Sequence, residues 1–178
     1  DMLSVSPGTS TSYTDVMTER DGGRRTFFHN RGANATWDGS EIDFNASSAK
    51  IFHLGYLLLL DELDKDDPEY GTKAAALLAK ARAAGMKTSI DVVSEDSDRF
   101  YKIIAPALKQ VDYCILNEVE ASKVTDVQVR KDGKLLEDGI AQACEKLFEL
   151  GVSELVAIHF PEGSYALCAD GEKLLQGS

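Results

Sequence analysis

From Lys50 onward, apolar runs of strand length alternate with segments whose apolar residues recur at helical spacing. Residues 51–54 read as a short strand closing at Gly55. Asp67-Pro68 reads as a helix N-cap followed by proline at the first helical position. Tyr70, Ala74, Leu77, Ala81 and Ala84 then carry an apolar stripe to a stop at Gly85. The pattern next predicts a strand over 88–93, a helix over 97–108 with Pro106 as a kink or late break, and a strand over 113–116. A short helix over 118–125 follows, then a longer one over 136–150 with Ile140, Cys144, Leu147 and Leu150 on one face. A strand over 154–158 and a hairpin over 164–175, turning at Asp170-Gly171, complete the pattern. Upstream, residues 10–34 read as a β-hairpin turning at Asp21-Gly22-Gly23, and their imperfect alternation suits a flap better than a core sheet.

Strands alternating with helices through short joins are the signature of βαβ units and a mostly parallel sheet. The 178 residues are enough for one domain with a real core. Nineteen basic against thirty acidic residues leave a net charge of −11. That field argues against a nucleic-acid backbone or an anionic membrane as partner, and a phosphorylated ligand would need local donors or a divalent cation. No apolar run approaches the ~18 residues of a membrane span. Cys114, Cys144 and Cys168 form no C-x-x-C pair and read as reduced thiols, and the opening residues carry no basic-then-apolar leader. A cytoplasmic protein is expected on both counts.

In open parallel sheets, ligands bind outside the carboxyl ends of the strands. Here those ends carry His53 and Gly55, then Asp91, then Asn117 with Glu118 and Glu120 behind it, and finally His159 with Glu162 and Gly163 following. Gathered at one edge, they would make an acidic crevice with amide and imidazole donors, which suits a magnesium–phosphate ligand. Each also has a structural reading. Asp91 can cap the following loop, Asn117 and Glu120 spell a capping box, and His53 in an apolar strand reads as a satisfied core histidine. The acidic run over 61–67 lacks the glycine and terminal glutamate of a calcium loop and reads as a solvated segment. No Walker lysine loop, G-x-G-x-x-G, G-x-S-x-G or H-E-x-x-H is present.

The order of these features resembles the ribokinase-like (PfkB) carbohydrate kinase family through nearly the whole chain. Arg25-Thr26-Phe27-Phe28 and Gly32-Ala33-Asn34-Ala35 resemble its lid strand and the segment after it, and Phe52-His53-Leu54-Gly55-Tyr56 its strand ending in glycine beside the sugar. Residues 85–91 resemble its strand ending in aspartate, and 151–163 its nucleotide-side strand and turn. Asn117-Glu118-Val119-Glu120 matches its N-x-x-E motif, which serves magnesium and phosphate; this match is the most specific.

The resemblance implies an α/β fold, a three-layer αβα with a mostly parallel Rossmann-like sheet. It divides the chain into a hairpin lid over 10–34 and a core over 35–178. It implies phosphoryl transfer from ATP to a sugar or related polyol hydroxyl. Asn34 and Gly55 would border the substrate, Asp91, Asn117, His159 and Gly163 the nucleotide, and Glu120 would serve Mg2+. The lid hairpin would also be a homodimer contact, with no nucleic acid or membrane involved. The family's G-A-G-D motif, with its catalytic base and anion hole, has no counterpart here. Nor have its opening strand and glycine-rich segment, and His159-Phe-Pro-Glu-Gly163 stands where many members have T-x-G-x-x-G. The chain is therefore expected to be a central fragment, inactive alone. The competing reading is a non-catalytic α/β ligand-binding or dimerisation module.

Overall fold

The structure, a computed structural model, describes residues 3–178. A hairpin of β1 (Tyr13–Thr18) and β2 (Arg25–Asn30) comes first, in register from Tyr13 opposite Asn30 to Thr18 opposite Arg25. Gly32 follows in the left-handed region, where a Cβ would collide with the Ser10 carbonyl; only glycine lets the chain close the hairpin base this tightly. After a 3-10 turn at Gly32–Ala35 and a second at Phe44–Ala46, β3 (Ile51–Leu57) begins the main sheet.

A short ladder of β4 (Asp66–Asp67) with β5 (Gly71–Thr72) precedes α1 (Lys73–Ala83). The expected N-cap at Asp67-Pro68 is corrected here. Asp67 accepts the backbone N–H groups of Glu69 and Tyr70 and so caps a turn, while Thr72 caps the helix by accepting from Ala75 N–H at 3.2 Å. The chemistry is the same in both places, a short side-chain oxygen receiving the N–H groups ahead of it. Gly85, at φ +87°, ends the helix as expected.

The remaining order is β6 (Lys87–Val92), α2 (Phe100–Leu108), β7 (Tyr113–Asn117), α3 (Glu118–Thr125), the small ladder β8 (Arg130–Lys131) with β9 (Lys134–Leu135), α4 (Glu137–Glu149), β10 (Leu155–Phe160), β11 (Gly163–Cys168) and β12 (Lys173–Gly177). Pro106 lies inside α2, which runs two residues beyond it. The central sheet has the order β12-β11-β10-β7-β6-β3. Its β3, β6, β7 and β10 are parallel, and β11 and β12 close it as an antiparallel meander.

The parallel strands are spatial neighbours in chain order, so right-handed crossovers place all four helices on the same face. Against that layer the strands turn Leu54, Ile90, Val92, Cys114, Leu116, Val156 and Ile158, each at most 2% exposed. Leu78, Ile104, Ile140 and Leu147 meet them from the helices in one contiguous core. Burying each large aliphatic side chain contributes roughly 1.5–3 kcal/mol before chain entropy is counted. On the opposite face Ile51 and Ile115 stay about half exposed, at 53% and 47%. No helix among the described residues is long and apolar enough to cross a membrane.

Two sequence expectations change in this frame. His53 is exposed on the open face of β3, hydrogen-bonded to the Ser89 hydroxyl at 3.2 Å, and is not a core residue. The acidic run is largely paired. Arg31 meets Asp61, Lys65 and Lys73 meet Glu62, and Asp64 is buried beside Arg99.

Candidate functional site

The parallel strands bring Gly55, Asp91, Asn117 and His159 to one edge. Across the β7–β10 ladder His159 lies directly opposite Asn117. The β3–β6 pairing shifts register between Leu54 and Leu57, which sets Gly55 tight against its neighbours. A Cβ at Gly55 would lie 3.3 Å from both Asp91 Cβ and His53 Nε2, so a side chain there would crowd the edge. Tyr56 follows and is half exposed. The Asp91 charge, reinforced by burial and a hydrogen bond, raises its phenol above the usual range. Asp91 accepts the Val92 backbone N–H at 2.9 Å and does not cap α2.

Asn117 and Glu120 form a complete capping box. Asn117 Oδ1 accepts the N–H groups of Val119 and Glu120, each at 2.9 Å, and Glu120 Oε2 accepts the Asn117 N–H at 3.0 Å. The structural reading of this pair is thus satisfied in full. Its two remaining polar atoms turn to Ser94: the Ser94 hydroxyl donates to Glu120 Oε1 at 2.7 Å and accepts from Asn117 Nδ2 at 3.0 Å.

Glu120 is only 4% exposed. Burial pushes its carboxyl above the ordinary range, and the Asp91 charge adds to that push. The Ser94 hydroxyl, the Asn117 N–H and His159 pull the other way without reversing it. Asp91 and Glu120 thus set two interacting carboxylates, hard oxygen donors both, beside a helix N-terminus. Magnesium fits that donor set, bound through one or two carboxylates with water completing its shell.

On the β10 side, Arg130 forks onto Glu118 and Glu162, with contacts between 2.7 and 3.0 Å, and donates to the Gly133 carbonyl. The Glu162 hydrogen bond first, then that to Glu118, raises the guanidinium pKa further. This fork ties the β10–β11 turn to the start of α3. Gly163 ends that turn at φ +154°, where a Cβ would overlap the Gln176 carbonyl of β12. Its glycine identity therefore has a steric cause.

Asn34 does not join the group. It is exposed on the first 3-10 turn and lines a cavity of about 670 Å³ with Trp37, Phe44, Phe52 and Met86. That cavity reaches the N-terminal ends of β3 and β6 and is mostly apolar, whereas the carboxylates sit at the C-terminal ends. Sequence reasoning missed Tyr56, Ser94 and Arg130. Ser94 and Arg130 lie in loop-like text without periodicity; Tyr56 could have been found as the residue after the glycine that closes its strand.

A family model described as pfkB family carbohydrate kinase matches residues 1–176. No curated protein matches the chain. Among solved structures, a ribokinase from Giardia lamblia superposes with a TM-score of 0.72 at 16% identity, over 96% of this chain and 49% of that one. The Arabidopsis thaliana ribokinase complexed with ribose and ATP gives 0.67 at 20% identity, again over 96% and 49%. A ribokinase from Thermotoga maritima gives 0.64 at 20%, over the same shares. The chain thus spans about half the length of these structures. At such identities the likeness shows the fold, a three-layer ribokinase-like α/β one to which the described residues contribute the sheet and one helical layer.

Proposed function

The chain belongs to the pfkB family of carbohydrate kinases, and from that membership we propose that it forms part of an enzyme that transfers phosphoryl from Mg-ATP to a sugar or related polyol hydroxyl. The observation that carries this reading is the buried carboxylate of Glu120, its charge disfavoured by burial and by Asp91, at an edge where a helix begins. Magnesium would neutralise phosphate charge there, which a chain of net charge −11 needs.

In this assignment Glu120 serves the metal, and Asn117 faces the metal and phosphate from the same cap. Asp91, His159 and the backbone at Gly163 border the nucleotide, while Gly55 borders the sugar; Asn34, assigned to the sugar from the sequence, lines the separate apolar cavity instead. The hairpin over 10–34 acts as a lid over the core of 35–178. Gly55 keeps the edge open, since a side chain would press on Asp91 and His53. The crevice offers no assigned base, so the chain alone is expected to show no sugar-dependent ATP turnover. A complex of one ribokinase neighbour with ribose and ATP supports the choice of both ligands.

Calorimetric titration with Mg-ATP and with a panel of sugars tests the reading. Binding of both is expected, with Glu120→Gln losing Mg-ATP and retaining the sugar. A chain that binds neither refutes it. Association through the hairpin is compatible with this function and is favoured by Tyr13, Val16, Met17, Phe27 and Phe28, all about half or more exposed.

A further inference from the structure

Three groups meet beside the first turn of α3, and only two of them belong to the N-x-x-E motif. Ser94, in the loop after β6, is exposed and fills no core space. Its hydroxyl nevertheless makes two short hydrogen bonds, donating to Glu120 Oε1 at 2.7 Å and accepting from Asn117 Nδ2 at 3.0 Å. The other polar atoms of that pair are committed to the helix cap.

The direction of every proton in this ring follows. Asn117 Oδ1 must face the N–H groups of α3, so its amide nitrogen must point away from them, and Ser94 is what receives it. Ser94 then has a lone pair engaged by Asn117, and its single proton goes to Glu120. The cap alone holds one carboxylate oxygen, Oε2, and a carboxylate held at one oxygen can still rotate about its terminal torsion. The Ser94 hydroxyl supplies the second point and fixes the carboxylate plane.

The loop is itself pinned. Lys123 donates to the Glu95 carbonyl at 2.8 Å and pairs with Asp96 at 3.1 Å, and Arg99 holds the Glu95 carboxylate. Ser94 is therefore presented from a fixed position.

We propose that Ser94 is a positioning residue that sets the orientation of Glu120 and Asn117 toward a divalent cation and its phosphate ligand. This rests on the reading of the crevice given above. It touches no reacting atom; it determines where the carboxylate lone pairs point. Outer hydrogen-bond partners of this kind typically change metal affinity by about ten- to hundredfold when removed.

The test uses Mn2+ as a paramagnetic stand-in for magnesium, titrated into the chain with ATP and followed by electron paramagnetic resonance. Ser94→Ala is expected to weaken Mn2+ binding by about tenfold or more, with its thermal midpoint unchanged because the side chain is exposed. Ser94→Cys, similar in size but a poor donor, should fall with the alanine variant. Ser94→Thr, which keeps the hydroxyl, should bind within about threefold of wild type, a change of ~0.7 kcal/mol or less. Wild-type Mn2+ affinity in both Ser94→Ala and Ser94→Cys would overturn the proposal. Should Glu120→Gln abolish binding while those variants keep it, the crevice reading stands and the role of Ser94 falls. If the wild-type chain binds no Mn2+, the crevice reading fails and takes the proposal with it.

Discussion

Arg99, one residue before α2, joins the loop after β3 to the loop after β6. Its guanidinium donates to the Leu58 carbonyl at 2.9 Å, to buried Asp64 at 3.3 Å, and to Glu95 through two nitrogens at 2.6 and 2.7 Å. The Arg99 hydrogen bonds bring the Glu95 carboxyl from its ordinary 4.5 down to about 2, against the opposing effect of burial and with help from Ser97. At ~1.36 kcal/mol for each tenfold change in proton affinity, this pairing is worth at most ~3.4 kcal/mol at neutral pH. The Arg99 and Glu95 side chains are 36% and 24% exposed, and solvent screening reduces that ceiling to roughly half. Asp64, its side chain 4% exposed, would lose its cation as well, at about 1 kcal/mol.

Arg99→Met keeps the apolar stem and removes the charge, so it is expected to cost about 2–3 kcal/mol at pH 7. The sign of the pH dependence follows from the depressed folded-state value of Glu95: its stabilisation is present above the unfolded value and is lost as pH falls through the folded one. At pH 3, about 1.4 of the ~3.4 kcal/mol ceiling survives, or ~0.7 kcal/mol after screening. Burial also pushes the Asp64 carboxyl upward, so by pH 3 it is protonated and needs no cation. Urea unfolding of both proteins at pH 7 and pH 3, followed by the fluorescence of the single tryptophan, Trp37, measures the gap. It should shrink to below about 1 kcal/mol at pH 3. A gap that stays constant within about 0.5 kcal/mol between the two pH values refutes the reasoning.

Gly163→Ala should lower the melting temperature by about 4 °C or more, the equivalent of ~2 kcal/mol for a chain of this size, because its Cβ has nowhere to go beside the Gln176 carbonyl; an unchanged melting curve counts against the steric argument. In the native protein only Cys168, half-buried, should react quickly with a disulfide reagent. Burial pushes the Cys144 thiol up to about 12 and raises that of fully buried Cys114 as well, so two fast thiols would contradict the structure. Phe28→Glu, on the exposed face of the hairpin, should weaken self-association seen by size-exclusion chromatography with light scattering. A wild-type chain that elutes as a clean monomer would remove the basis for that expectation.

The local grammar of the chain was enough for much of the fold. The strands near 51, 88, 113 and 154 were readable because their apolar runs are bounded by polar or turn residues within a few positions. The cap at Asn117–Glu120 was readable because its partners are three residues apart. The start of α1 was not, since Asp67 and Thr72 offer the same capping chemistry and only the intervening β4–β5 ladder chooses between them.

His53 looked like a core residue because its neighbours are apolar, yet which face of β3 is covered depends on the side that every crossover takes. The partners that shape the crevice are separated by long stretches of chain: Ser94 and Glu120 by 26 residues, Asp64 and Arg99 by 35, and Arg130 and Glu162 by 32. No periodicity connects such positions. Short-range spacing determines what a segment becomes, whereas these contacts exist only after the parallel strands align and carry their loops to one edge. For that reason the residue types of a magnesium–phosphate site could be read from the sequence, while the arrangement that orients them was decided by the tertiary structure.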